Sequence, residues 1–488
     1  MDSELHLVVG IDVGASCTGV AFINLTKANA DRSNVRTMSK WPGKTSESKV
    51  PTIMAYDSAN VDQGPTSWGF QSKSESEQGN NRLLAEWFKC DFQSRSKDGS
   101  KLPDVDTLYR DFLSKLYGHL RERFLLPSTF GQAVTWDTAA VEFIFSVPAT
   151  WRQHDVKRFL AIARKAGFGS GSHRIGTCLT EPQAVAVYAA YQEQNLLTAG
   201  DNVLIVDAGG GTVDFCLLEV KSMDTEYPEL VEKLPVEGDD VGSANIDEKF
   251  QQLARMKLES LGHERLGLSS AKQIKTTAWR MRHSEDFQNE KVTLGAPPKA
   301  HAEEAFHVKM VGASVPTPGP ADEVYVANTD EMPFRNGELM GFFDEECQTI
   351  KRHMDQMIED LQLHMQSDIQ HVIFSGGLGG SPYIQETLRS QYGEGTSLEK
   401  AEFHSLDLPQ MRAKKESRTE VKNGQEVVPF VEWCIKRGKP YDPDRPIFKE
   451  SRMCFAPNTD DSSLHGQMTI VESKETDPPK YKDGKGQG

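Results

Sequence analysis

The sequence predicts an α/β protein of two related lobes, each a mixed sheet flanked by helices, with a shorter irregular β region after them. Two glycine-rich hairpins carry this expectation, GIDVGASCTG at residues 10–19 and VDAGGGTVDF at 206–215. Each joins an apolar run ending in Asp to a second apolar run. A third observation is that short apolar runs alternate with stretches of helical period up to about residue 390, the pattern of sheets covered by helices.

In chain order, residues 5–25 read as a β-hairpin, 27–48 as polar loop and VPTIMAYD (50–57) as strand. A polar stretch from Gln71 to Asn81 precedes RLLAEWFKCDF, which begins a helical period, and residues 104–125 place apolar side chains at helical spacing. VEFIFSVPAT (141–150) reads as a strand stopped by Pro148, and WRQHDVKRFLAIARKAGF as a helix ended by Gly167. Pro182 marks the start of the next helix, in TEPQAVAVYAAYQEQNLL. After the second hairpin, GDDVGSANIDEKFQQLARMKL is a glycine turn and a helix expected to be capped near Asn245 or Asp247. Residues 295–330, rich in Pro, Ala and Gly, read as loop or weak strand. A long helix spans roughly 338–366, and HVIFSGGLGGSPYIQETLRSQY is strand, glycine turn and helix. Beyond about 393 the pattern degrades. AKKESRTEVKNGQE reads as charged and flexible, VVPFVEWCIKRGKPYDPDRPI as a short β-hairpin, and ETDPPKYKDGKGQG as a disordered tail. The expected division is therefore lobe I at 1–200, lobe II at 201–393 and a divergent region at 394–488.

The 488 residues suffice for several domains and a substantial core. A net charge of −16 argues against non-specific nucleic-acid binding and against anionic membranes, so neither partner is expected. No apolar run approaches the ~20 residues that span a bilayer, and MDSELHLVVG does not read as a signal peptide. The seven cysteines (17, 90, 178, 216, 347, 434 and 454) form no CxxC pair, which favours free thiols in a reducing, cytoplasmic setting.

A polyphosphate held with a divalent cation needs backbone donors around its oxygens and carboxylates for the metal's water shell. Asp12 and Asp207 end apolar strands beside glycine turns and are the candidate metal residues. Gly14 and Gly209, Gly210 and Gly211 allow close approach, and Thr212 adds a hydroxyl. The segment SGGLGGSPYIQETL (375–388) ends a strand in glycines before a helix N-terminus, which can pack on a nucleoside or accept phosphate.

The order of these motifs resembles the heat shock protein 70 nucleotide-binding domain, within the actin–hexokinase superfamily of two-lobed, ribonuclease H-like ATPases. The glycine hairpin, VPAT with its helix, EPQAVAVYAA, DAGGGTVDF and GGLGGSPYI occur in sequence. WPG followed by KVPTIMAY, and VEWCIKRGKPYDPDRPI, resemble the divergent fungal and 12A-type branch that lacks an ordinary peptide-binding domain. The resemblance implies ATP or ADP and Mg²⁺ as ligands, with Asp12 and Asp207 holding the metal shell. Gly209–Thr212 would lie on the phosphates, and Gly376, Gly377 and Ser381 near ribose and adenine. Glu181 would sit at the hinge near the attacking water, and Pro148 would couple nucleotide to lobe movement. Lys73, in GFQSK, falls near the family's catalytic lysine or is a solvated surface residue.

The chain also departs from that pattern. Ala15 stands where the first loop usually carries a hydroxyl, with Ser16 and Thr18 nearby. In the adenine-clamping helix, blurred into Trp279–His283, only Arg282 keeps a basic role. The alanine-glycine helix expected after SLDLPQ is replaced by MRAKKESRTEVKNGQE, and the C-terminal β region stops early, as a trimmed gene product would. The leading expectation is an ATP-binding protein with nucleotide-dependent lobe closure and slow or absent hydrolysis. A pseudo-ATPase scaffold is the alternative. A small-molecule kinase is disfavoured because no sugar-loop Asp presents itself, Asp155 reading as a helix-face residue.

Overall fold

β1 (Leu7–Val13) and β2 (Cys17–Asn24) form the first glycine hairpin; β1 alternates buried Leu7, Val9, Ile11 and Val13 with half-buried residues. They open a computed structural model that describes residues 7–25, 35–72, 82–94, 101–124, 135–192, 196–223, 228–296, 301–313, 330–393, 395–406, 420–422 and 425–427. β3 (Arg36–Thr37) and β4 (Lys49–Pro51) pair with β2. β5 (Ile53–Asp57) is the middle of a small sheet with β6 (Pro65–Trp68) and β7 (Arg82–Glu86). α1 (Asp91–Ser94) and α2 (Val105–Phe124) follow. β8 (Val141–Val147) then runs parallel to β1, and α3 (Gln153–Lys165) leads to β9 (Arg174–Thr180), parallel to β8.

α4 (Glu181–Gln192) leads to the second hairpin, β10 (Asn202–Ala208) and β11 (Val213–Met223), on which β12 (Pro228–Glu232) and β13 (Glu237–Asp239) pair. α5 (Ser243–Leu261), α6 (Ala271–His283) and α7 (Glu285–Thr293) come next, then the pair β14 (Ala305–Lys309) and β15 (Glu331–Arg335). α8 (Asn336–Met365) precedes β16 (His371–Ser375), parallel to β10. Beyond it lie α9 (Gly376–Gly379), α10 (Pro382–Gln391) and β17 (Glu402–Ser405), which is parallel to β16.

The two large sheets repeat one topology: β3-β2-β1-β8-β9 and β12-β11-β10-β16-β17. Asp12 lies beside Ser146 of the parallel neighbour β8, as Asp207 lies beside Ser375 of β16. α2 and α3 build an aromatic core on the first sheet from Tyr109, Phe112, Phe143, Phe145 and Phe159. α5, α6, α8 and α10 cover one face of the second sheet. α4 touches strands of both sheets (β8 and β9, β10 and β11), and its Ala186, Ala189 and Ala190 meet Val203 and Ile205 on the other face. Because β10 is buried on both faces, it reads as a continuous apolar run.

The predicted α/β class holds, and several local readings change: the stretch read as loop at 27–48 contains β3, and VPTIMAYD divides between β4, paired with β2, and β5, paired with β6 and β7. RLLAE is a strand, not a helix, because it pairs with β5 from Ile53↔Glu86 to Asp57↔Arg82; a short apolar run takes the period of the partner it finds. Trp87 then turns the chain at φ +58°. α5 starts after an extended Gly242 rather than at Asn245 or Asp247, since its first N–H groups bond the carbonyls of the second hairpin's turn. β17 adds to the second sheet beyond residue 393. A second unit, from Asp407 onward, contains the hairpin β18 (Glu420–Lys422) and β19 (Gln425–Val427). The expected hairpin in VVPFVEWCIKRGKPYDPDRPI, the tail, and most of AKKESRTEVKNGQE lie outside the described residues. Among the described residues, Cys17, Cys90, Cys216 and Cys347 are in no disulfide.

Candidate functional site

The turns of the two hairpins meet. A side-chain carbon on Gly210 would come within 2.2 Å of Ser16 Oγ, and one on Gly211 within 2.4 Å of Cys90 Sγ and 2.8 Å of the Ala15 methyl. Only glycine permits that approach. The second turn rests on the α5 N-terminus, where Ser243 and Ala244 N–H donate to the carbonyls of Gly209 (3.2 Å) and Gly210 (2.7 Å).

Carboxylates collect around this junction. Asp12 and Asp207 end equivalent strands, Asp214 lies opposite Asp207 in the β10–β11 register, and Glu181 opens α4. Two lysines that were not predicted join them. Lys49 Nζ donates to Asp12 Oδ2 at 3.1 Å, and the nearly buried Lys89 donates to Glu181 Oε1 at 2.6 Å. Lys89 escaped notice because WFKCDF reads as part of a helix; its signal was a lone charge inside an aromatic run. Lys49 opens the short strand β4, and its partner lies 37 positions away.

Four carboxylates against two ammonium groups shape the local titration. Burial works to raise Asp12, but the charges of Lys49 and Lys89 outweigh it and hold the carboxyl below its usual range. Asp207 is raised, by burial first and then by Asp12. Asp214 is pushed up to about 6 by burial and by Asp207. Glu181 is also raised, chiefly by burial and further by Asp12 and Asp207, although Lys89 opposes the shift. Lys89 keeps its proton more firmly than usual, since Glu181 and Asp12 overcome its own burial.

The remaining predicted residues fall into three groups. Near the junction, Gly14 tightens the first turn, where a Cβ would sit 2.5 Å from the Cys17 carbonyl. At Gly376, with φ +83°, a Cβ would run into the Ala208 carbonyl and lie 3.0 Å from Asp207 Oδ1. Thr212 and the Thr150 backbone, from the VPAT loop after Pro148, work to lower the Asp214 carboxyl against its burial. Gly377 faces open space, and Ser381 is the buried N-cap residue of α10. Arg282 is buried, its guanidinium lies 4.4 Å from the Trp87 ring centre, and it donates to Glu86. Lys73 lies outside the described residues. Asp155 is not on an open helix face; it is buried, accepting from Arg152 N (3.2 Å) and Gln93 Nε2 (3.1 Å) at the start of α3.

The residues fit a cation and an oxyanion. Ser16 Oγ, Asp214 Oδ1 and Ser381 Oγ are buried without a hydrogen-bond partner among the described residues, an uncommon state for buried polar atoms. The excess of carboxylate oxygen suits a hard, hydrated divalent ion. A phosphate chain between the turns requires them to part, because they are in contact here. No family model matches the chain, and no curated protein matches it.

Proposed function

We propose that this protein is an ATP-binding, heat shock protein 70-like protein on a two-lobed actin-like ATPase fold, whose lobes open and close with nucleotide and hydrolyse it slowly. The observation that carries this reading is the repeated sheet, with Asp12 and Asp207 at equivalent strand ends and a glycine turn beside each. Asp12 and Asp207 would hold the water shell of Mg²⁺, which when bound supplies positive charge to phosphate oxygens. Gly209–Thr212 would offer backbone donors, and Gly376, Gly377 and Ser381 would flank the nucleoside. Lys89 fixes Glu181 by its 2.6 Å contact, so that the carboxylate can orient a water rather than swing freely.

Slow turnover follows from Ala15. Its methyl meets Gly211 where a hydroxyl would donate to developing charge. The pseudo-ATPase reading rests on the same contact. Isothermal titration of the full chain with ATP and ADP, with and without Mg²⁺, tests the proposal. Metal-dependent binding that Asp207→Ala weakens at least tenfold supports it, and absence of binding under all four conditions overturns it. A single-turnover assay on the same sample separates slow hydrolysis from none.

A further inference from the structure

A second cluster of ligating side chains sits at the opposite end of the second sheet from Asp207. β16 starts at His371, four residues and about 13 Å of strand before Ser375, the neighbour of Asp207. The parallel β17 brings Glu402 beside His371 and His404 beside Ile373. Alternation along a strand puts His371 and Ile373 on one face, and Glu402 and His404 on the same face of the next strand. His371 Nδ1 and His404 Nε2 are 3.1 Å apart, and Glu402 Oε2 lies 3.9 Å from the first and 3.7 Å from the second. The three ligand atoms fall within 4.8 Å of one another. Tetrahedral coordination with bonds of about 2.0–2.1 Å places ligand atoms about 3.3 Å apart, so a shift of a few tenths of an ångström completes the edge.

The surroundings orient the cluster for such a role. His371 is buried, and its Nε2 lies 3.3 Å from Asp201 Oδ2. That oxygen is itself fixed by the Thr198 N–H and hydroxyl, both at 2.7 Å. A proton held on Nε2 by Asp201 leaves the Nδ1 lone pair facing His404 and Glu402, the carboxylate–histidine arrangement found behind metal ligands. Glu402 is 68% exposed, so the cluster opens to solvent on its side and leaves room for a water as fourth ligand.

We propose that His371 Nδ1, His404 Nε2 and Glu402 Oε2 form a site for a divalent transition-metal ion of the zinc class, with Asp201 as the positioning residue behind His371. Two imidazoles and one carboxylate select Zn²⁺, Co²⁺ or Ni²⁺ over Mg²⁺, so the site differs in ligand chemistry from the hairpin junction and is independent of the nucleotide reading. Its bound ion ties the edge strand β17 to β16. His404 takes part with its proton on Nδ1. Without an ion, Nε2–H of His404 donates to His371 Nδ1, a plain hydrogen bond that the experiment must separate from metal binding.

The test uses the full chain, stripped with a chelator and dialysed, titrated with Zn²⁺ and separately with Co²⁺. Wild type should take up one more equivalent of Zn²⁺ than His404→Ala. It should show visible cobalt absorption that Zn²⁺ displaces, and its thermal midpoint should rise with Zn²⁺ but not with Mg²⁺. Glu402→Gln should weaken binding at least tenfold, and Asp201→Asn by about 10–100-fold with the same stoichiometry. His404 and Glu402 lie at the sheet edge, so these variants keep the test informative if His371→Ala does not fold; circular dichroism checks that they do. Equal zinc stoichiometry and equal thermal shift in wild type, His404→Ala and Glu402→Gln would overturn the proposal, as would no uptake by wild type.

Discussion

At Asp214, burial and the Asp207 charge raise the carboxyl from the usual 3.8 to about 6. Between those values the folded protein binds more protons than the unfolded chain, so this group lowers stability as pH rises from about 4 to 6. The cost then persists at neutral pH and amounts to about 3 kcal/mol at most. Asp214→Asn should therefore stabilise the protein at pH 7.5 and much less at pH 4.5. Denaturant midpoints at the two values measure this, and an equal effect at both would contradict the assignment. Lys89 has the reverse role: it compensates Glu181 at 2.6 Å, and both are largely buried. Lys89→Met leaves that carboxyl without its cation, so on the proposed function ATP turnover should fall about 100-fold or more while nucleotide affinity changes only a few-fold. Loss of affinity without loss of turnover would place Lys89 in binding instead.

Among the elements, the contact of the two glycine turns and the bridge from β7 to α6 decide how the halves meet. Gly211→Ala drives a methyl to 2.4 Å from Cys90 Sγ and 2.8 Å from Ala15. The turns must separate, at a cost of about 1–3 kcal/mol, visible as a lowered thermal midpoint. In the bridge, Glu86 just before Trp87 accepts from Arg282 and from Trp279 Nε1 (3.4 Å), and His283 Nε2 approaches it at 3.3 Å. Burial alone would raise Glu86, but the hydrogen bond from His283 and the Arg282 charge bring it down to about 2. Its stabilising contribution is complete above about 4.5 and is lost as pH falls toward 2. Glu86→Gln should remove that acid-sensitive part of the stability. If the wild type and Glu86→Gln curves run parallel from pH 5 to pH 2.5, the bridge contributes nothing.

For the whole molecule, α4 packs on strands of both large sheets, with Glu181 at its first position and small alanines against β10. An element packed on two sheets transmits any change in their separation, so a ligand favouring one separation shifts the entire equilibrium. On the proposed function, Mg²⁺ with ATP should raise the thermal midpoint of wild type, as binding to the folded state alone demands, and should raise that of Asp207→Ala much less. Equal shifts in both would detach the stabilisation from the hairpin junction.

Much of this was legible in the chain. The two hairpins, α2, α3 and α8, and the positions of Asp12 and Asp207 at strand ends depend on local pattern: apolar period, glycine turns and helix stops. Local pattern also located Gly376, whose positive φ admits little else. RLLAE could not be assigned alone, because β5 as its partner makes it a strand. Arg282 was singled out as a basic residue for a nucleoside, yet its partner Glu86 lies 196 positions away. Lys49, Lys89 and the His371–Glu402–His404 corner were missed for the same reason. By itself the sequence determined the two glycine hairpins, the long amphipathic helices and where acids end the central strands, since those choices rest on neighbours within a few residues. Only the tertiary structure decided which charges meet, because ion pairs and ligand clusters arise from sheet register and helix packing between segments far apart in the chain.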